Sequence, residues 1–272
     1  MEPKGLMGGF YRISEWIMRL AVINLLWIIC SFPFIAFLFM TLIAYLPSIT
    51  QEQIDQHGVL RFLVEPVLIF AVLAPLTLFP ATAAMFTVAR KWVTGEVDVP
   101  LFKTFFRGYK ENYKQSLLGG IVYTLLFILM FIDFIAYREQ LGAIAYIFLA
   151  LLALLGASVF NYFSMLVHYH MKTFQLIKNA VLITIGKPIR SITTALMCGL
   201  VIYFSFAHFT FLLPFFTGSV VAFVAYWNFN IIYTKLQEQA EKIRKSEEQA
   251  AEEAAELDRE DLVKNDNKLS NK

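Results

Sequence analysis

The chain has 272 residues, of which 58% are hydrophobic and only 16% charged, and its mean hydropathy is +0.61. A soluble domain of this size cannot hide so much apolar surface, so the composition excludes one and points to an integral membrane protein whose first partner is the lipid bilayer. The net charge of +2 divides into +5 over residues 1–234 (15 basic, 10 acidic) and −3 over 235–272 (8 basic, 11 acidic), a balance that offers nucleic acid no basic domain.

The chain opens on an amphipathic lead, "GFYRISEWIMRL" (9–20), in which Arg12, Glu15 and Arg19 share a narrow stripe. The first apolar run, 20–46, is too long for a cleaved signal segment and is expected to be retained as a span. It contains "INLLWIICSFPF" (23–34), where Asn24 and Pro33 are unusual in hydrocarbon. Pro33 removes the helical bond to the carbonyl of Ile29 and is expected to kink the span, with Ser31 helping to satisfy what is freed. Asn24 is read as bonding to backbone freed at a bend or to the adjoining lead. The second span, 67–89, carries Pro75 and Pro80, so both arms of the first hairpin are expected to bend.

A second lead follows in "LFKTFFRGYKENYK" (101–114). Lys103, Arg107, Lys110 and Lys114 fall within an arc of about 60°, opposite the rings of Phe102, Phe105, Phe106, Tyr109 and Tyr113. Such a helix is read as lying in the interface, rings in the acyl boundary and cations near anionic headgroups, with docking to a protein as the other use of the same stripe. Spans at 117–137 and 141–167 follow. "MKTFQLIKNAVLITIGKPIR" (171–190) makes a third, less amphipathic lead. The run 192–233 has no charge over 42 positions and is divided at Pro214 into spans 192–213 and 215–233. Five spans plus a re-entrant segment is the alternative.

The fold class expected is therefore all-α and polytopic: about six transmembrane helices as three hairpins, each preceded by a cytoplasmic interfacial helix. Lys and Arg number 13 in the N-terminal segment and in connections two and four, against Arg61 and Arg138 alone in the other two. This predicts that both termini and connections two and four face the cytoplasm. The tail from 235 is rich in Glu, Ala and Lys and reads as helical, either a short coiled coil through Leu236, Ile243, Ala250 and Leu257 or a solvated single helix, then a disordered end.

The chain carries no phosphate-binding loop, no HExxH and no GxSxG, and its cysteines, Cys30 and Cys198, both sit in apolar runs. His168 and His170 alternate, so on a helix they do not share a face. No enzyme, cofactor or metal is expected. The polar residues inside or near spans, Asn24, Asp133, Asn161, His208 and Asn228, are candidates either for interhelical bonds or for a polar path.

"GFYRISEWIMRLAVINLLWIICSFPF" and "FFRGYKENYKQS" together resemble the YesL family of bacterial membrane proteins, over roughly the first 120 residues. The resemblance implies no agreed activity. It implies company: members tend to be encoded near sugar importers of the ATP-binding-cassette (ABC) type and polysaccharide-degrading enzymes, especially in Gram-positive bacteria. The function expected is a non-enzymatic accessory to oligosaccharide uptake by such an importer, with subunits of the importer as partners. A transporter or channel for a small solute is the alternative. "NAVLITIGKPIR" lacks the Glu-Ala-Ala…Gly spacing of an importer permease, so the chain is not read as the permease itself.

Overall fold

A computed structural model describes residues 6–270 apart from Gly58. The helices are α1 (Leu6–Cys30), α2 (Phe32–Met40), α3 (Leu46–Ser48), α4 (Gln51–His57), α5 (Val59–Leu73), α6 (Phe79–Val93), α7 (Leu101–Leu141), α8 (Tyr146–His168), α9 (Thr173–Gly186), α10 (Pro188–Ala207), α11 (Leu212–Phe215) and α12 (Thr217–Ser270). Contacts divide the chain into one unit through Phe229 and a second from Asn230 onward. Five described helical stretches are long and apolar enough to cross a membrane: Gly9–Cys30, Arg61–Val93, Leu101–Arg138, Gly142–His168 and Pro188–Ala207. The protein is an all-α polytopic membrane protein.

The bends fall where the prolines and small polar residues stand. α1 stops at Cys30, and Pro33 sits in the first turn of α2, where no helical N–H is required of it. Ser31 turns its hydroxyl on the carbonyl of Trp27 (2.6 Å), not on that of Ile29. Each arm of the first hairpin then carries one π-helical turn, Thr41–Tyr45 after α2 and Ala74–Leu78 before α6, the second containing Pro75. Thr41 and Thr77 donate to the carbonyls of Phe37 (2.9 Å) and Leu73 (2.8 Å), supplying bonds that a widened turn weakens.

Three antiparallel registers build the core. Trp16 meets Trp92 edge to face at 5.4 Å, and Trp27 Nε1 donates to Thr82 Oγ1 at 3.0 Å, which aligns α1 against α6. Asn112 Nδ2 donates to Thr87 Oγ1 (3.3 Å), and Gly108 and Gly120 lie against Thr87 and Pro75, which aligns α7 against α6. The Tyr162 hydroxyl donates to the Gln115 carbonyl (2.7 Å), and Ser158 Oγ to the Tyr123 hydroxyl (3.2 Å), which aligns α8 against α7. Midway along α1 the buried guanidinium of Arg19 bonds Glu15, Asp98 and the Val97 carbonyl, tying α1 to the α6–α7 connection. Arg90 donates to the Val167 carbonyl (2.6 Å) where α6 and α8 end and α7 begins, called the basic end below.

The expected interfacial helices take another form. Residues 9–20 and 101–114 continue without a break into the apolar parts of α1 and α7. The reason is visible in α7, whose lead buries Thr104, Phe105, Gly108 and Ser116 in the protein, so this face is a packing face and not an acyl-facing one. The third lead forms α9, which folds back from a short connection against α8 through Leu176, Ala180 and Thr184.

In the last apolar run α10 ends at Ala207, and the break around Pro214 lies against Asn24, only five residues along α1 from Arg19. The first turns of α12 run from Asn24 toward Trp16, whose ring meets Phe223 at 5.8 Å. The second unit, from Asn230, is a helix with i,i+4 pairs Glu241–Lys245 (2.9 Å) and Arg244–Glu248 (3.4 Å). Leu236 and Ile243 are exposed in the single chain. α12 continues to Ser270, through the Glu-, Ala- and Lys-rich stretch 235–260 and into the end expected to be disordered.

Candidate functional site

The five polar candidates do not converge. Asn24 is fully buried and serves the break before α12. Its amide nitrogen donates to the carbonyls of Leu213 (3.0 Å) and Pro214 (2.7 Å), and its oxygen accepts the Ser219 N–H (3.1 Å). One side chain thus satisfies the last carbonyls of α11 and a first-turn N–H of α12, groups that have no helical partner of their own. Asn161 belongs to a different cluster, donating to Thr184 Oγ1 (2.9 Å) and Ser191 Oγ (3.4 Å), which joins α8, α9 and α10. Asn228 is buried in α12, its nitrogen 4.0 Å from the Met197 sulfur and its oxygen without a protein partner. His208 ends α10 in an exposed position beside the rings of Tyr203 (5.9 Å) and Phe204 (5.7 Å). Asp133 is half-buried toward the other end of α7.

The second group of candidates lies together on α7. Lys103, Phe106, Arg107 and Lys110 are exposed, as is Lys114, whereas Phe105 is fully buried and Tyr109 half-buried against Tyr113, with rings 5.7 Å apart. Among the described residues no three His, Cys, Asp or Glu come together in a way that could hold a metal ion.

The main cavity has a volume of about 590 Å³ and none of the five polar candidates lines it. Its walls come from both hairpins, through Phe34, Phe70, Phe79, Phe127 and Phe163. Gly218 and Val221 of α12 close one side. The cavity's only indole N–H, that of Trp27, is already given to Thr82. The lining can hold an apolar chain but offers no charge or chain of hydroxyls to carry a polar solute.

Sequence reasoning missed three features here. Arg19 as a buried clamp left a trace only in its place at the edge of an apolar run. Gly119 and Gly120 form a visible pair, and the approach they permit, to Tyr162 on one side and Pro75 on the other, gives that pair its use. Gly218 lies within contact of Asn24, Trp27 and Met85, and nothing local in "TGS" signals it.

The fold thus defines a class: a polytopic helical membrane protein in which Asn24 and Asn161 bond within the protein and the main cavity is apolar. Residues 20–134 match the family model described as "Protein of unknown function, DUF624". The chain is homologous to the uncharacterized proteins YteU and YesL of Bacillus subtilis (strain 168). It is 29% identical to YteU over 239 residues, covering 87% of this chain and 89% of that one. It is 27% identical to YesL over 217 residues, covering 79% and 85%. A shorter match, 26% over 128 residues, is to YesV of the same organism. The YesL-like character read from the first 120 residues therefore holds over most of the chain. No solved structure matches it.

Proposed function

We propose that this chain is a non-enzymatic accessory membrane protein that works beside an oligosaccharide importer of the ABC type. The observation that carries the accessory reading is the scatter of the polar residues. Asn24, Asn161 and Asn228 lie in separate clusters, Asn24 and Asn161 held by local bonds, and the large cavity is apolar, so a hydrated path for a sugar has no lining. The link to sugar uptake rests on what the YesL resemblance implies. The Lys and Arg distribution supports a plasma-membrane protein with the basic end and both termini in the cytoplasm.

Two experiments test these parts separately. In a Cys-free variant, a single cysteine at Gln56 is expected to react with an impermeant reagent added to intact cells, and one at Glu248 is not; the reverse pattern overturns the orientation. Deleting the gene is expected to slow uptake of labelled oligosaccharide while importer subunits stay at normal levels. The purified chain alone in vesicles is expected to move none. Uptake by those vesicles makes the chain a transporter in its own right.

A further inference from the structure

The main cavity lies among the apolar parts of the helices. Every residue that lines it falls in one of the runs 20–46, 67–89, 117–137, 141–167 and 192–233. It is open along part of its length, with α12 across one side. The rings that wall it hold one another. Phe70 meets Phe34 (5.3 Å) and Phe37 (4.9 Å), and Phe163 meets Phe79 (5.3 Å) and Phe86 (5.4 Å). Neither group can swing inward to fill the space without giving up these contacts, so the cavity is preformed. On α8, a Cβ at Gly156 would meet nothing within 4 Å, which leaves that wall clear. An apolar void left empty forfeits dispersion contacts on all its lining atoms, at a cost that grows with its volume. An occupant relieves that cost.

Water does not suit the site, because a buried water needs about two to four polar partners. Trp27 Nε1 donates to Thr82 Oγ1 (3.0 Å), which in turn donates to the Leu78 carbonyl (2.7 Å). Thr124 carries the one other hydroxyl of the lining. A partner's helix is too thick. At a diameter of about 10–12 Å, each helical turn displaces about 420–610 Å³, so the cavity's 590 Å³ would take little more than one turn. A single hydrocarbon chain fits. At about 30 Å³ per methylene, near the share of one molecule in liquid water, the cavity holds on the order of 20 methylenes, the size of one lipid tail. Lipid tails are as apolar as the lining, so a chain that enters is held by packing and exchanges with the bilayer. No charged side chain lines the cavity among the described residues, so nothing there reads a headgroup. We propose that the cavity between the two hairpins binds one acyl chain of a membrane lipid, recognised by the chain and not by the headgroup. The site goes beyond the accessory reading and does not depend on it.

Trp27 lines the cavity and serves as its reporter. The full chain is placed in nanodiscs of phosphatidylcholine, either plain or brominated midway along one acyl chain, since bromine quenches indole fluorescence on contact. Brominated lipid is expected to quench the parent. Part of that quenching is expected to vanish in Trp27→Phe, and this part is the Trp27 signal. Gly156→Leu on α8 and Val221→Phe on α12 each fill the cavity from a different wall. Each is expected to remove most of the Trp27 signal while unfolding no earlier than the parent. In a Trp27→Phe background neither is expected to change the quenching further, which separates a filled cavity from a general change in lipid contact. Phosphatidylglycerol with the same brominated chain is expected to quench Trp27 as strongly. The proposal is overturned by the absence of a Trp27 signal, or by one that survives both filling variants. Early unfolding of both variants overturns it as well, since the cavity then has no room for added atoms. A Trp27 signal confined to phosphatidylglycerol overturns recognition by the chain.

Discussion

Asn24→Leu is expected to destabilise the protein by about 3 kcal/mol, although it makes the first span more apolar. The substitution removes three hydrogen bonds at once and leaves the carbonyls of Leu213 and Pro214 and the N–H of Ser219 without partners in a buried site. Unpaired backbone groups away from water are costly, and here the break at Pro214 supplies no helical substitute. The sign of the effect is the informative part. Were Asn24 facing lipid, Leu would stabilise. Thermal unfolding of the purified protein in detergent reads the difference, with Leu25→Ala on the exposed side of the same helix as a control expected to shift the midpoint little. A midpoint for Asn24→Leu equal to or above that of the parent would remove Asn24 from its place as the fastener of the last break.

Gly120→Val is expected to lower stability by about 3 kcal/mol, through a different physical cause. A Cβ at this position would stand 2.8 Å from Phe79 Cγ and 2.9 Å from Pro75 Cα. The second contact is with backbone, so the strain cannot be relieved by a side-chain rotation. α7 would have to withdraw from the π-helical turn that Pro75 occupies, breaking the contact on which the wall of the main cavity rests. Gly156→Ala in α8 is the matched control: its Cβ would meet nothing within 4 Å, and alanine is the better helix former, so its midpoint is expected to stay level or rise. If Gly120→Val unfolds no earlier than Gly156→Ala, the close packing of α7 on the Pro75 turn is wrong.

The class of protein was legible in the sequence because a bilayer imposes one local rule. Each spanning stretch must satisfy its own backbone, and the cheapest way is an apolar helix about 20 residues long. Four of the spans, and the bends at Pro33 and Pro75, could therefore be read from windows of a few dozen residues. The basic stripe on α7 could be read as well, since it depends only on helical periodicity. What lay opposite each face could not. The rings of Phe105 and Phe106 are neighbours in sequence on one helix, yet one is sealed in the protein and the other exposed. The last apolar run shows the same limit most clearly. Its composition permits two spans, but it does not say what the break meets: bonds from Asn24, some 190 residues away in the chain, set that break against α1. Hydropathy reports how much a segment gains by leaving water. It carries no information about depth or register once the segment is in lipid, where every apolar position is equally comfortable and the few polar pairings decide.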